Sequence, residues 1–276
     1  MKLHRSLMFA LILIFVLACG ITGTNTPVTV PPASEATNQA QAPFTPIPTF
    51  TPEVQSTPIL SPLLTMQSTP LSETGATPPY TFKAQIPYLQ GSSDPRVTQF
   101  NEYMSQLVLS EIESYRNDML AFASNPPIAN GSSFDLTYTV IGQRVDIWSI
   151  KLEIYFYTDG AAHPGHYSVT VNYDLQNGRE LTLDELFLSG SNYLQVISDE
   201  SKSQLAARDI GFDMFATGAD PLPENYLRWN LSSEGLVITF DEYQVAPYAA
   251  GPQVVVIPFY VLQSVINPQS AIVLFY

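Results

Sequence analysis

The chain has 276 residues, with 11 Lys plus Arg against 25 Asp plus Glu, a formal net charge of -14 and a single cysteine. Such acidity excludes non-specific nucleic-acid binding, which needs a basic face to replace the counterions around phosphates. One cysteine excludes an intrachain disulfide scaffold and a thiolate zinc cluster.

Residues 1–18 read as a bacterial lipoprotein signal peptide. Lys2 and Arg5 form a short positive region, and Leu7 to Ala18 is an unbroken apolar run of twelve residues. That run is too short to cross ~30 Å of hydrocarbon as a helix, so it reads as a signal core. Val16-Leu17-Ala18-Cys19 resembles a lipobox, which makes Cys19 the expected lipidation site and the lipid bilayer the first expected partner. The alternatives are a plain secretory signal and an uncleaved anchor.

Residues 19–79 read as a disordered tether. The stretch from 20 to 80 carries twelve of the 23 prolines, thirteen threonines and no Lys or Arg. Proline removes amide donors and drives its predecessor out of the α region, so neither a helix nor a central strand is expected.

Residues 80–276 are the expected folded unit, holding nine Lys plus Arg against 22 Asp plus Glu. Tyr80 to Leu89 alternates as a strand, with Pro87 marking an edge or bulge. Asp94-Pro95 opens a long helix in which Val97, Phe100, Met104, Leu107, Val108, Ile112, Tyr115, Met119 and Phe122 recur at helical spacing, up to Asn125-Pro126-Pro127. Phe134 to Val140 and Ile150 to Phe156 read as a hairpin turning at Gly142-Gln143-Arg144. Tyr167 to Tyr173 is a third strand, leading to an Asn177-Gly178 turn. A shorter helix is expected over 191–208, then a hairpin through Leu227–Leu231 and Leu236–Phe240, a strand at Val254–Ile257 and a short helix from Phe259. The expected class is α+β: a mostly antiparallel sheet with one long and one shorter helix packed on one face, in two subregions of about 80–165 and 166–276.

His163-Pro164-Gly165-His166 puts two imidazoles in one loop, yet Pro164 and Gly165 prevent the helix that a paired-histidine metal motif needs, so no metal or cofactor is expected. The bland reading has His163 bonding the backbone of a turn. Asp184-Glu185 and Asp241-Glu242 read as a helix cap and solvated charges, since sequence neighbours do not report the separation that acid/base pairs need. No nucleophile elbow is present, so no catalytic residue is assigned and the chain is not expected to be an enzyme. Tyr243 to Gly251 mixes tyrosines with small residues; it suits either a partner interface or a packed crossover loop. Tyr243, Tyr248 and His163 are the candidate partner-binding residues.

Tyr157-Thr158-Asp159-Gly160-Ala161-Ala162-His163-Pro164, Asn172-Tyr173-Asp174 with Gly178, Leu181 to Phe187, Phe240, and Tyr243 through Gly251 with Ile257-Pro258 resemble successive signatures of one family. This is the extracytoplasmic domain of unknown function shared by the lysozyme-sensing anti-sigma factor RsiV and the N-terminal side of the peptidoglycan deacetylase PdaC. The family often has Gly-Gly-Ala-His where this chain has Gly160-Ala161-Ala162-His163. Sigma-factor regulation and deacetylation are not expected, because no such domain stands before the leader or after Val265. The resemblance implies the folded module and a cell-envelope binding role, with an extracytoplasmic protein or glycan as partner, such as a basic lysozyme-like enzyme. A wall-carbohydrate-modifying enzyme and a purely structural envelope lipoprotein are the alternatives.

Overall fold

The computed structural model describes residues 64–122 and 131–276. Cys19, the signal peptide, the Thr/Pro-rich run up to residue 63 and the helix stop at Asn125-Pro126-Pro127 lie outside the described residues.

Strands β1 (Thr65–Ala76), β2 (Pro79–Gln90), β3 (Ser132–Arg144), β4 (Ile147–Tyr157), β5 (Gly165–Asp174) and β6 (Arg179–Glu180) form a six-stranded sheet in chain order. All neighbours are antiparallel except β2 and β3, which run parallel across helix α1 (Pro95–Phe122). Residues 64–79 therefore belong to the folded unit, which corrects the expected extent of the tether. Pro70 does not prevent β1, because β1 is the outermost strand among the described residues, and proline's missing donor costs nothing on such an edge. Pro87 follows the same rule: the β2–β3 ladder stops at Ala84, and beyond it the Asn101 side chain from α1 pairs with both backbone groups of Leu89.

Asp94 caps α1, its Oδ1 accepting the Arg96 N–H at 2.9 Å. The apolar stripe of α1 buries Val97, Phe100, Met104, Val108, Ile112, Tyr115 and Met119 against Phe82, Phe134, Leu136, Ile150, Leu152 and Ile154. Each such burial contributes roughly 1.5–3 kcal/mol. Phe122, expected on this stripe, is 75% exposed.

Glu73 on β1 accepts Arg116 of α1 at 2.6 and 2.9 Å and the Tyr80 hydroxyl at 2.5 Å. The Arg116 hydrogen bonds, then that of Tyr80, hold the Glu73 carboxyl down from 4.5 to about 2. A lowered carboxylate pKa stabilises the fold above the ordinary value, and that contribution is lost as pH falls from about 4.5 to 2. Acid melts of Glu73→Gln are expected to fall less steeply than those of the parent across this window. Parallel curves would show that the clasp adds nothing.

The β3–β4 hairpin turns at Val145-Asp146, with Val145 at φ 51°, not at Gly142-Gln143-Arg144. Gly142 instead sits at a bulge inside β3, where a Cβ would overlap the Leu231 carbonyl. Its smallness serves a close backbone approach from another part of the chain.

That approach comes from a second layer. A 3-10 turn (Asp184–Leu186), α2 (Tyr193–Ala206), β7 (Trp229–Leu231), β8 (Gly235–Phe240), β9 (Gln253–Pro258) and α3 (Phe259–Leu262) build a three-stranded antiparallel sheet with its own core around Leu186, Ile197, Leu205, Ile238, Ile257 and Leu262. The class is α+β and mostly antiparallel. The described residues form two sheets, however: α1 lies on β2 and β3, while α2 lies on β9. The subregion boundary falls after β6 rather than at 165/166, because β5 pairs along its length with β4.

The two sheets meet through hydrogen bonds. Ser149 Oγ donates to Asn172 Oδ1 (2.7 Å) and accepts the Leu231 N–H (2.8 Å) and Asn230 Nδ2 (3.0 Å). Asn172 Nδ2 donates to the Trp229 carbonyl at 2.8 Å, and Asn230 Nδ2 also reaches the Ile150 carbonyl at 3.0 Å. Ser149, Asn172 and Asn230 are all buried.

Candidate functional site

The seam continues to the open edge of β5, and there it positions the site. The Ser168 N–H donates to Asp241 Oδ1 at 3.0 Å, and the His166 N–H to Glu242 Oε2 at 3.3 Å. Unpaired strand amides are thus capped by two carboxylates from the end of β8, which protects an edge otherwise open to pairing. Burial raises the Asp241 carboxyl, opposed by the Arg228 guanidinium 3.5 Å away. The reading of Asp241-Glu242 as solvated charges is corrected: they clamp one layer to the other. Likewise Asp184 makes no side-chain cap; Glu185 does that work, accepting the Thr182 N–H at 3.2 Å and both terminal nitrogens of Arg179 at 2.9 Å.

The clamp swings the following loop over the β4–β5 turn. Tyr243, at φ 67°, directs its hydroxyl to His163 Nε2 at 3.4 Å. The His163 ring lies 4.1 Å from the Tyr248 ring at an interplanar angle of 34°, and the Tyr243 and Tyr248 rings are 5.7 Å apart at 29°. Tyr248 Oη donates to the Pro164 carbonyl at 2.9 Å, and His163 Nδ1 lies 2.7 Å from the same oxygen. A carbonyl only accepts, so Nδ1 carries a proton and donates to it. The turn bond expected for His163 is present. Residues 80 positions apart therefore form one aromatic shelf, with His163 and Tyr243 exposed and Tyr248 half-buried.

His166 takes no part in it. Its ring is buried, tilted against Tyr155 at 4.2 Å, and neither ring nitrogen finds a hydrogen-bond partner among the described residues. The alternation of β5 sends His166 inward while the turn leaves His163 outside, so the two imidazoles do not converge. Among the described residues no group of three or more His, Cys, Asp and Glu side chains is placed to hold a metal. Gln244 anchors the loop from below, donating to the Gly218 and Asn225 carbonyls at 3.0 and 2.9 Å. A Cβ at Gly218 would overlap the Gln244 carbonyl, so the close approach requires glycine there. The clamp and the anchor escaped sequence reasoning, because both are contacts across long separations without a local pattern.

An α+β protein of two stacked sheets, with an aromatic shelf where their loops meet, is the class that the geometry defines. Residues 184–260, which include Tyr243 and Tyr248 but not His163, match the family described as "Protein of unknown function (DUF3298)". The chain is 26% identical over 141 residues to the peptidoglycan-N-acetylmuramic acid deacetylase PdaC of Bacillus subtilis, a match spanning 50% of this chain and 30% of that enzyme. A DUF3298-family crystal structure from Bacteroides fragilis superposes with a TM-score of 0.59 at 20% identity, covering 77% of this chain and 97% of the other. A second, from Pseudomonas aeruginosa, gives 0.56 at 20% identity over 74% and 95%. These two share the fold.

Proposed function

We propose that the protein is a non-enzymatic binding module of the bacterial cell envelope, anchored by lipid on Cys19, whose aromatic shelf contacts a basic extracytoplasmic protein. The convergence of His163, Tyr243 and Tyr248 on one exposed surface carries this reading. Tyrosines supply contact area at small entropic cost and are enriched in interface centres. The excess of acidic residues, -14 over the chain, favours a basic partner through electrostatic steering. The similarity to a segment of PdaC supports an envelope setting.

Lysozyme, basic and wall-directed, is the probe. The protein is expected to bind it at ~20 mM salt and more weakly at ~150 mM, where screening shortens to ~8 Å. Calorimetry showing no binding at the lower salt would sink the lysozyme version.

A further inference from the structure

A concavity of about 500 Å³ opens on the smaller sheet. Leu183 follows β6, Tyr193 and Leu194 begin α2, and Tyr226, Leu227 and Trp229 lead into β7. Its floor is preformed: Trp229 and Tyr226 are buried, Tyr226 Oη donates to the Ala219 carbonyl at 2.6 Å, and Tyr193 stacks on Phe187 at 4.5 Å and 7°. Its lip is apolar and open to solvent, with Leu227 60% and neighbouring Leu222 47% exposed.

The rim is acidic. Asp184 lines the groove, and Glu224 follows the lining Pro223. Neither carboxylate enters an ion pair among the described residues. Burial raises the Tyr226 phenol to about 12, and the charges of Asp220 and Asp199 add to that. Among the described residues no Lys, Arg or His lines the groove. The nearby bases are engaged: Arg179 with Glu185, Lys202 with Asp220 and Arg228 with Asp241.

We infer that this groove docks a peptide segment carrying Lys or Arg beside aliphatic or aromatic side chains. The apolar floor supplies the area that such a segment buries, and the unneutralised rim selects its charge. Charge also argues against the chain's own Thr/Pro-rich run as occupant, since residues 20–63 hold Glu35 and Glu53 but no Lys or Arg. The groove shares no residue with the aromatic shelf, so either site can fail without the other.

The test uses the full-length protein and an amphipathic Lys/Leu peptide of about 18 residues, or five helical turns, in calorimetric titration. Leu227→Lys and Asp184→Lys are each expected to weaken binding about tenfold or more, as removal of an anchor or a paired charge does. Both positions are exposed, and circular dichroism checks that the variants fold. Glu102→Lys, the same charge reversal on the exposed face of α1, is expected to change affinity by no more than about twofold. No binding by the parent protein would overturn the proposal. So would equal loss in Glu102→Lys and Asp184→Lys, which would show diffuse attraction only. Equal binding of a Glu/Leu peptide, or of a peptide covering residues 20–63, would overturn the basic-segment assignment.

Discussion

Replacing Asn230 by leucine is expected to destabilise the protein by about 3 kcal/mol, the cost of leaving buried hydrogen-bonding groups without partners. For a domain of this size that corresponds to a fall in Tm of roughly 6 to 12 °C. Leucine keeps the branched outline of asparagine and is larger, so the variant opens no cavity, and its cost comes from the lost hydrogen bonds and the added bulk. The Asn230 amide is fully buried and supplies Ser149 Oγ and the Ile150 carbonyl, both at 3.0 Å. Ser149 Oγ in turn serves Leu231 and Asn172. Removing one member strands the others, so Ser149→Ala with Asn230→Leu is expected to cost less than the two single variants together. Thermal melts followed by circular dichroism measure all three. Strict additivity would show that the seam is a set of independent contacts.

The second large effect concerns the shelf. Tyr243→Ala with Tyr248→Ala is expected to raise the Kd for lysozyme about a hundredfold, the loss typical of two central aromatic anchors. Tyr243 is 54% exposed, and Tyr248 gives up only its bond to the Pro164 carbonyl and its ring contacts. Stability is therefore expected to fall by no more than about 1 kcal/mol. Unchanged affinity in the double variant would remove the shelf as the interface even if lysozyme binds elsewhere.

Helix α1 was legible because its signals are local: the Asp94 cap, Pro95 in the first turn and an apolar stripe at helical spacing. Alternation placed β3, β4, β5 and β8, and a continuous apolar run placed β9, for the same reason. Where the reading failed, the deciding partner was distant. The Thr/Pro composition of residues 65–76 says tether, yet pairing with β2 and the Arg116 contact to Glu73 make the stretch an edge strand. Gly142 says turn, yet it is the backbone of Leu231 that needs its smallness. Asp241-Glu242 says solvated charge, yet the amides of His166 and Ser168 meet it across more than 70 positions.

By itself the sequence determined the acidic balance, the α+β class and the choice of His163, Tyr243 and Tyr248 as candidates, since composition, periodicity and residue chemistry are properties of short windows. Only the tertiary structure decided that there are two sheets, that the three candidates touch, and that His166 turns away from them. Those outcomes depend on which strand edges and buried polar groups find partners, and hydrogen-bond satisfaction in the interior is settled between segments far apart in the chain.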